Sequence, residues 1–132
     1  MRIVILGAGE LKNDVVVVDS DETKLEEVSR SLDVLTINAD GTDPSFTKDP
    51  DIKKASVLVA VTEVDETNIL ACLLAKKNGI LHTIARLRNP KFLHNSAAYV
   101  RENFGIDLIL SPEVLTAEEI CRTLMTPAAL NV

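Results

Sequence analysis

The chain has 132 residues, a length that fits one globular domain with a substantial buried core. Hydrophobic residues make up 46% and charged residues 26% of the chain, which excludes an intrinsically disordered protein. The net charge is -6 and no stretch gathers lysine and arginine, so a nucleic-acid partner is excluded. No apolar run approaches the roughly 18 residues of a membrane span, so we expect a soluble, cytoplasmic domain without direct membrane insertion.

Short apolar runs without polar alternation recur along the chain, a pattern typical of strands that are buried on both faces of a sheet. Aromatic residues make up only 3% of the chain, so the core must consist of aliphatic side chains, as in a parallel sheet between helices. We predict six strands, at residues 3–6, 15–18, 34–37, 57–61, 83–85 and 108–110.

Between the first strands, the spacing of apolar residues follows a helical period. The first helix is predicted to cover residues 22–32, with Ser20 or Asp21 as its N-cap. The apolar face of this helix is predicted to consist of Leu25, Val28 and Leu32.

The later helices are marked by their boundary residues. Residues 65–78 predict a helix that ends at Gly79, because glycine is the usual residue after a helix C-terminus. Prolines at permitted first-turn positions predict helices at residues 90–103 and 112–125, and residues 44–54 predict short turns interrupted by a proline.

Strand and helix alternate along the whole chain. This alternation predicts a doubly wound, mostly parallel six-stranded α/β sheet of the Rossmann type. The domain is expected to occupy residues 1–126, and residues 127–132 are expected to start a linker to a following domain or a C-terminal tail.

A glycine turn follows the first strand. In an open parallel sheet, ligands bind beyond the carboxyl ends of the strands, so the residues after each strand are the candidates for a site. Gly7, Ala8 and Gly9 have side chains small enough to let backbone N–H groups approach a diphosphate. We therefore expect the phosphates of a dinucleotide at this turn.

Polar residues follow the next three strands. Asp19 stands where the ribose-binding acid of NAD sites stands, and it serves equally well as an N-cap for the next helix. Asp40 lies in a turn after the third strand and is placed to reach the adenosine end of a ligand. Thr62, Asp65 and Asn68 follow the fourth strand and are predicted to cap a helix whose positive end faces the same crevice.

Two arginines follow the fifth strand. Arg86 and Arg88 project from the same side of the chain, and their guanidinium groups suit bidentate phosphate contacts. We favour a ligand or interface contact for both, and solvated ion pairs are the alternative. Glu113, after the sixth strand, is either a ligand-site acid or an acid that stabilises the first turn of a helix.

The order of these segments resembles a known family, the N-terminal domain of TrkA-type potassium-transport regulators, also called the RCK or KTN domain. The resemblance covers nearly the whole chain, and the ordered set is more specific than any single motif. The segments that carry it are Ile3-Val4-Ile5-Leu6-Gly7-Ala8-Gly9, Asp40-Gly41-Thr42-Asp43-Pro44, Ala60-Val61-Thr62 with Asp65-Glu66-Thr67-Asn68, Ile84-Ala85-Arg86-Leu87-Arg88-Asn89-Pro90 and Ser111-Pro112-Glu113.

The resemblance implies a cytoplasmic regulatory subunit that binds NAD(H) or ATP/ADP and gates a membrane potassium channel or transporter of the Trk or Ktr type. Such a subunit lies peripheral to the membrane through its partner. The resemblance also implies homodimers that assemble into a higher oligomer, and a divalent cation near Glu113.

Residue roles carry over from this family by position. Gly7 and Gly9 are expected to face the phosphates of the ligand and Asp19 its adenosine ribose. The remaining members of the predicted cofactor site are Asp40 and Thr42 for the adenine side, Thr62 and Arg86 for the far end, and Ala8, Ser20, Gly41, Asp65 and Asn68.

The chain departs from the family pattern after Gly9, where the third glycine of G-x-G-x-x-G is absent. Only the eight residues from Gly7 to Asp14 join the first two strands, whereas a parallel crossover needs about a dozen or more. Asp19 follows Gly9 by ten residues, whereas the ribose acid should follow by about 20. Both counts predict that the first crossover helix is missing from the chain; the alternative is a true eight-residue link that makes the second strand antiparallel to the first.

Two other functions fit the residues less well. An NAD-dependent oxidoreductase fragment is disfavoured because no substrate domain fits in this length, Tyr99 lacks a lysine four residues on, and neither His82 nor His94 has an evident partner. A phosphoacceptor signalling domain would need an acidic pair after the first strand, where the glycine turn supplies none. We therefore expect a regulatory protein, not an enzyme.

Overall fold

A single six-stranded sheet forms the centre of the molecule. The computed structural model describes residues 3–7 and 15–111, with side chains for the second range. The strands lie in the order β3-β2-β1-β4-β5-β6, which is the strand order of the Rossmann fold. Their bounds are β1 Ile3–Gly7, β2 Val15–Asp19, β3 Leu35–Asn38, β4 Ala55–Ala60, β5 His82–Arg86 and β6 Leu108–Leu110.

One strand of the sheet runs against the others. β2 and β3, β4 and β5, and β5 and β6 pair in parallel, whereas β1 is antiparallel to both β2 and β4. Because both neighbours of β1 are antiparallel to it, the five other strands all point the same way. The sheet is mostly parallel, as predicted, but the first link is the antiparallel alternative. A short link favours this outcome, because it can join neighbouring antiparallel strands but is too short for a crossover helix.

Within residues 15–111, four α-helices and three 3₁₀ turns connect the strands. The helices are α1 Glu22–Ser31, α2 Pro50–Lys53, α3 Asp65–Lys77 and α4 Ala97–Phe104, and the 3₁₀ turns are Pro44–Lys48, Pro90–Phe92 and His94–Ser96. None of the helices in the described part of the chain is long and apolar enough to cross a membrane. The helix predicted at residues 112–125, the tail from residue 127 and the predicted domain boundary lie outside the described residues.

Two helix predictions differ from the structure. Leu32 was expected on the buried face of α1, but it is the C-cap residue and is 59% exposed, because the chain becomes extended there. One helix was expected across residues 90–103, but two 3₁₀ turns replace its first half and α4 begins only at Ala97. His94 has a φ of 53°, a left-handed conformation that cannot continue a right-handed helix, so the regular helix starts after it.

Helices cover both faces of the sheet. On one face, α1 places Leu25 and Val28 against Val17 of β2. The larger cluster lies on the other face, and it joins the sheet to α2, α3, α4 and the first 3₁₀ turn. Its sheet residues include Val16, Val18, Leu58, Ala60 and Ala85, and its helix and turn residues include Phe46, Ile52, Cys72 and Val100. Because β2 to β6 all run the same way, their carboxyl ends lie at one edge of the sheet.

Candidate functional site

The carboxyl ends of β2, β3, β4 and β5 form one continuous edge of the sheet. Asp19 pairs with Asn38, and Ala60 pairs with Ala85, which precedes Arg86. Val18 and Ala60 both pair with Ile3, so β2 and β4 end at the same level across β1. The predicted site residues that follow these strands are therefore brought to the same side of the molecule.

Asp19 is the most buried carboxylate at this edge. Its side chain is held where β2 ends, the residue is only 2% exposed, and Oδ1 accepts a hydrogen bond from Asp21 N at 2.9 Å. The N-cap of α1 is Asp21, whose side chain accepts hydrogen bonds from the amides of Thr23 and Lys24, so Asp19 does not fill that role. Ser20, between the two acids, is exposed.

Asn38 is a site residue that the sequence reasoning missed. In the orientation that satisfies its amide, Asn38 Nδ2 donates to Asp19 O at 3.2 Å and to Ser20 O at 3.3 Å. The Asn38 side chain thus joins the ends of β3 and β2. Its position directly after the strand predicted at residues 34–37 is the signal in the sequence that could have found it.

Asp40 and Thr42 form a tight local turn after β3. Asp40 Oδ1 accepts hydrogen bonds from Thr42 N at 2.9 Å and from Thr42 Oγ1 at 2.7 Å. The hydrogen bond from the Thr42 hydroxyl, followed by the one from its amide, lowers the pKa of the exposed Asp40 carboxyl. Gly41, between them, is buried. The turn presents an ionised carboxylate beside the end of β3.

Asn68 joins the ends of β4 and β5. The residue is fully buried, and Oδ1 accepts hydrogen bonds from Thr62 N at 2.9 Å and from Thr62 Oγ1 at 2.6 Å. Asn68 Nδ2 donates to Thr62 O at 3.1 Å and to Arg86 O at 2.7 Å. The amide is therefore fully used by the protein, which makes Asn68 a residue that positions Thr62 and Arg86.

The Arg86 guanidinium folds back over the end of β4. Arg86 Nη2 donates to Thr62 O at 2.8 Å. Arg86 Nε is buried and has no hydrogen-bond partner among the described residues. A buried guanidinium N–H with spare donor capacity is suited to an anionic or carbonyl group of a ligand.

Asp65 holds the loop after β5 in place. Its two carboxylate oxygens accept hydrogen bonds from the amides of Arg88 and Asn89 at 2.7–3.1 Å. The N-cap of α3 is Val64, which makes no side-chain capping hydrogen bond. The prediction that Thr62, Asp65 and Asn68 cap this helix is therefore wrong, because their side chains bind residues around the ends of β4 and β5 instead.

Arg88 does not join Arg86 at the edge. It is exposed and lies in a shallow cleft of about 450 Å³ beside the start of α3, whose other lining residues are Glu63, Val64, Asp65, Glu66, Asn89 and Pro90. The ion pairs between described side chains, Lys76 with Asp107 and Lys91 with Glu66, involve neither arginine.

Gly7 lies at the opposite edge of the sheet. It pairs with Ala55 at the start of β4, and the preceding residue, Leu6, pairs with Val15 at the start of β2. The expectation that Gly7 lies with Asp19 around one dinucleotide is therefore wrong for this chain, because the reversal of β1 moves Gly7 to the amino ends of its neighbours. Ala8 and Gly9 lie outside the described residues.

These placements fit one part of a dinucleotide and not another. Carboxylate, hydroxyl and guanidinium groups at the carboxyl edge suit a ribose and an anionic group. Gly7 supplies no backbone amide at that edge for a diphosphate. Within residues 15–111 no cluster of three or more histidine, cysteine or acidic side chains is arranged to hold a metal ion, and Glu113 lies outside the described residues.

Comparison with known proteins identifies relatives across the whole chain. One is the Trk system potassium uptake protein trkA homolog 1 of Methanosarcina mazei, 38% identical over 148 residues that include 99% of this chain and 36% of the relative. Another is the Trk system potassium uptake protein TrkA homolog of Archaeoglobus fulgidus, 35% identical over 143 residues that include 100% of this chain and 32% of the relative. The chain thus spans about a third of the length of these relatives.

The two alignments are longer than the chain. They extend over 148 and 143 residues, and the shorter exceeds the chain's 132 residues by 11. Both relatives therefore contain residues that have no counterpart here. The difference is similar to the roughly ten residues by which the spacing from Gly9 to Asp19 falls short of that expected for a ribose acid.

A solved structure supports the fold of the chain, and a family model identifies its family. The NAD(P)-binding domain of an exopolyphosphatase-related protein from Archaeoglobus fulgidus matches with a TM-score of 0.60 and 22% identity, covering 86% of this chain and 77% of that one. This likeness supports the Rossmann-like α/β fold. The family model of the TrkA-N domain matches residues 3–112. The chain therefore belongs to the TrkA-N domain family.

Proposed function

We propose that this chain is the nucleotide-binding domain of a regulatory protein for potassium uptake of the Trk or Ktr type. The observation that carries the proposal is the family match over residues 3–112, together with whole-chain relatives named as Trk potassium uptake proteins. The domain acts by binding a ligand and not by catalysis. It works in the cytoplasm and reaches the membrane through a potassium channel or transporter subunit.

The ligand is an adenine nucleotide, NAD(H) or ATP/ADP, held at the carboxyl edge of the sheet. The buried Asp19 carboxylate accepts hydrogen bonds only, so it suits the hydroxyl groups of a ribose. Asp40 and Thr42 lie on the adenine side. Thr62 and Arg86 receive the far end of the ligand, where the buried Arg86 Nε offers a donor. Asn68 and Asp65 hold the loops that carry these groups, and Gly41 and Ser20 complete the turns.

Regulation follows from a difference in nucleotide affinity between two assembly states. A ligand shifts an equilibrium only by as much as it binds one state more tightly than the other. We propose that the domain forms homodimers that assemble into a higher oligomer on the potassium pore. Glu113 is proposed to contact a divalent cation in that assembly.

Titration calorimetry with NADH, NAD, ATP and ADP tests the nucleotide site. Asp19→Ala is expected to weaken the binding of the preferred nucleotide at least tenfold, since a hydrogen bond to a charged group contributes about 1.5–3 kcal/mol. Asp33→Ala is the matched control, because Asp33 is an exposed acid before the opposite end of β3. Equal affinities of the Asp19→Ala variant and the parent chain would remove Asp19 from the site.

The same titration is run on a variant with a longer connection between β1 and β2, defined below. Absence of binding by all four nucleotides in both chains contradicts the proposed function. Growth on limiting potassium, with full-length protein carrying Asp19→Ala or Asp33→Ala, tests the link to potassium uptake. Only the Asp19→Ala protein is expected to change growth on limiting potassium.

A further inference from the structure

The reversed strand β1 separates two parts of the family's ligand site. We propose that the length of the connection between β1 and β2 sets the direction of β1. In this chain the reversed strand then removes the diphosphate-binding glycine turn from the nucleotide site. The inference rests on the proposed function, because it concerns the ligand class of that same site. It predicts that this chain recognises the nucleoside part of its ligand and gains little from a diphosphate.

The distance along the sheet supports this separation. Gly7 pairs with Ala55, and β4 continues for five residues to Ala60 before it reaches the edge that carries Thr62. At about 3.3 Å per residue, this places Gly7 about 16 Å from the carboxyl end of β4. In NAD(H) or ATP the phosphate is bonded directly to the adenosine ribose. A ribose held by Asp19 therefore cannot place its phosphates at Gly7.

The length of the connection explains the direction of the strand. β1 ends at Gly7 and β2 starts at Val15, so residues 8–14 are all that join them. A hairpin connection between antiparallel neighbours needs only a few residues, whereas a parallel crossover including its helix needs about 10–12 or more. The relatives supply at least 11 additional residues in their alignments with this chain, enough to lengthen this connection into a crossover.

The sequence of β1 does not oppose the reversal. Ile3, Val4, Ile5 and Leu6 are all aliphatic, so neither direction exposes a polar residue to the core. A strand with one polar and one apolar face would have a preferred register. A uniformly apolar strand can pack in the sheet in more than one register. The connection, and not the strand, is therefore the element that selects the direction.

Cysteine pairs report the direction of β1 without any ligand. Two double variants, Ile3→Cys with Val18→Cys and Leu6→Cys with Val15→Cys, join residues that pair directly in the antiparallel arrangement. The pair Ile3→Cys with Val15→Cys is the control. These two positions lie three residues apart along the strands, about 10 Å, when β1 is reversed. After mild oxidation, peptide mapping by mass spectrometry is expected to find disulfides in the first two variants and none in the control.

A lengthened chain tests the role of the connection. An 11-residue helix-forming segment of alanine, glutamate and lysine is inserted after Gly9, and the same segment inserted between Asp33 and Val34 is the control. The insertion after Gly9 is expected to abolish the two antiparallel disulfides and to allow the one between positions 3 and 15. The inference is overturned if the disulfides between positions 3 and 18 and between positions 6 and 15 fail to form in the unmodified chain. It is also overturned if they persist after the insertion.

Adenosine and NADH then serve as the two binding probes. In the unmodified chain NADH is expected to bind at most about tenfold more tightly than adenosine, because Arg86 can contact its far end but the diphosphate gains no contact at Gly7. In the lengthened chain NADH is expected to bind at least 100-fold more tightly than adenosine. An unmodified chain that already favours NADH 100-fold overturns the inference and leaves the proposed function standing. A lengthened chain that turns β1 but binds neither probe contradicts the proposed function alone.

Discussion

The two halves of the described chain are held together by different kinds of side-chain hydrogen bond. In residues 15–54, the acids Asp21, Asp40, Asp43 and Asp49 each bind groups two or three residues further along the chain. In residues 55–111, the side chains of Asn68, Asp65 and Asp107 bind groups 18 to 31 residues away. Apart from the Asn38 amide, which joins β3 to β2, these hydrogen bonds of the first half form local turns, whereas the second half is cross-linked at both ends of its strands.

This difference decides which part of the site is preformed. Thr62 and Arg86 are fixed by the buried Asn68 amide, so the far end of the proposed nucleotide site is held by hydrogen bonds within the second half. Asp19 and Asp40 stand on short turns next to the strand whose direction the connection controls. In the proposed site, the nucleoside end and the diphosphate-binding turn are therefore the parts that a change in the first half can alter.

Removing the Asn68 amide is expected to have the largest effect on stability. Asn68→Ala leaves buried hydrogen-bonding groups of Thr62 and the carbonyl of Arg86 without partners, which should lower the free energy of unfolding by about 3 kcal/mol. Urea unfolding followed by circular dichroism measures the change.

Asn78→Ala is the matched control at the C-cap of the same helix. The Asn78 amide is exposed and donates to Leu74 O at 2.8 Å, one turn earlier. Its loss should cost about 0.5 kcal/mol, since water replaces the missing group. Similar costs for the two variants would show that the carboxyl edge of the second half is not cross-linked through Asn68.

The opposite end of the second half provides the next largest effect. Asp107 Oδ2 accepts hydrogen bonds from Lys76 Nζ at 2.6 Å and from Thr83 N at 2.8 Å. Asp107→Ala leaves a partly buried ammonium group and an amide without this partner, so we expect a loss of about 2 kcal/mol in urea unfolding.

The exposed ion pair between Lys91 and Glu66 gives the comparison for this variant. Its side chains are 57% and 62% exposed, and the nitrogen and oxygen are 3.3 Å apart. Lys91→Ala should leave the urea unfolding transition unchanged within error because solvent and salt screen the pair. An Asp107→Ala effect as small as this would mean that the amino end of the second half is not braced by Asp107.

The order and kind of most elements could be predicted from the sequence, because apolar runs and boundary residues are local signals. The residues between β1 and Val15 are too few for a parallel crossover. The sequence therefore leaves two alternatives for this connection: a missing crossover helix, or a β1 that is antiparallel to β2. The backbone conformation of His94 and the amide network of Asn68 could not be predicted. Both depend on neighbours that are distant in sequence, and residue types alone do not name those neighbours.

Thiol labelling compares the opening of the two halves in one molecule. Cys72 in α3 is fully buried, its thiol donates to Ile84 O at 3.5 Å, and burial raises its pKa. Val17 in β2 is 4% exposed but belongs to a small cluster with Leu25 and Val28. In the Val17→Cys variant, N-ethylmaleimide is expected to label position 17 at least tenfold faster than Cys72, about 1.4 kcal/mol in opening free energy.

Peptide mapping by mass spectrometry follows both sites in the same sample, so protein concentration and solvent are matched. Urea is then added in steps below the unfolding transition. The two labelling rates should converge as global unfolding becomes the faster route of exposure. Equal rates without urea would mean that the sheet opens as one cooperative unit, and the distinction between the halves would fail.

The smallest effect concerns the turn at Asp40. Hydrogen bonds from the Thr42 hydroxyl and amide lower the pKa of the Asp40 carboxyl below its ordinary value of 3.8. Because the folded-state pKa is the lower one, the turn stabilises the fold above about pH 4 and loses this contribution as the pH falls through the lowered pKa. Thr42→Ala should raise the pKa in a carbon-13 NMR titration, whereas Thr42→Ser keeps the hydroxyl and should leave it low. A pKa that is the same in all three chains would show that the hydroxyl does not bind Asp40, and that the first half lacks even this local hydrogen bond.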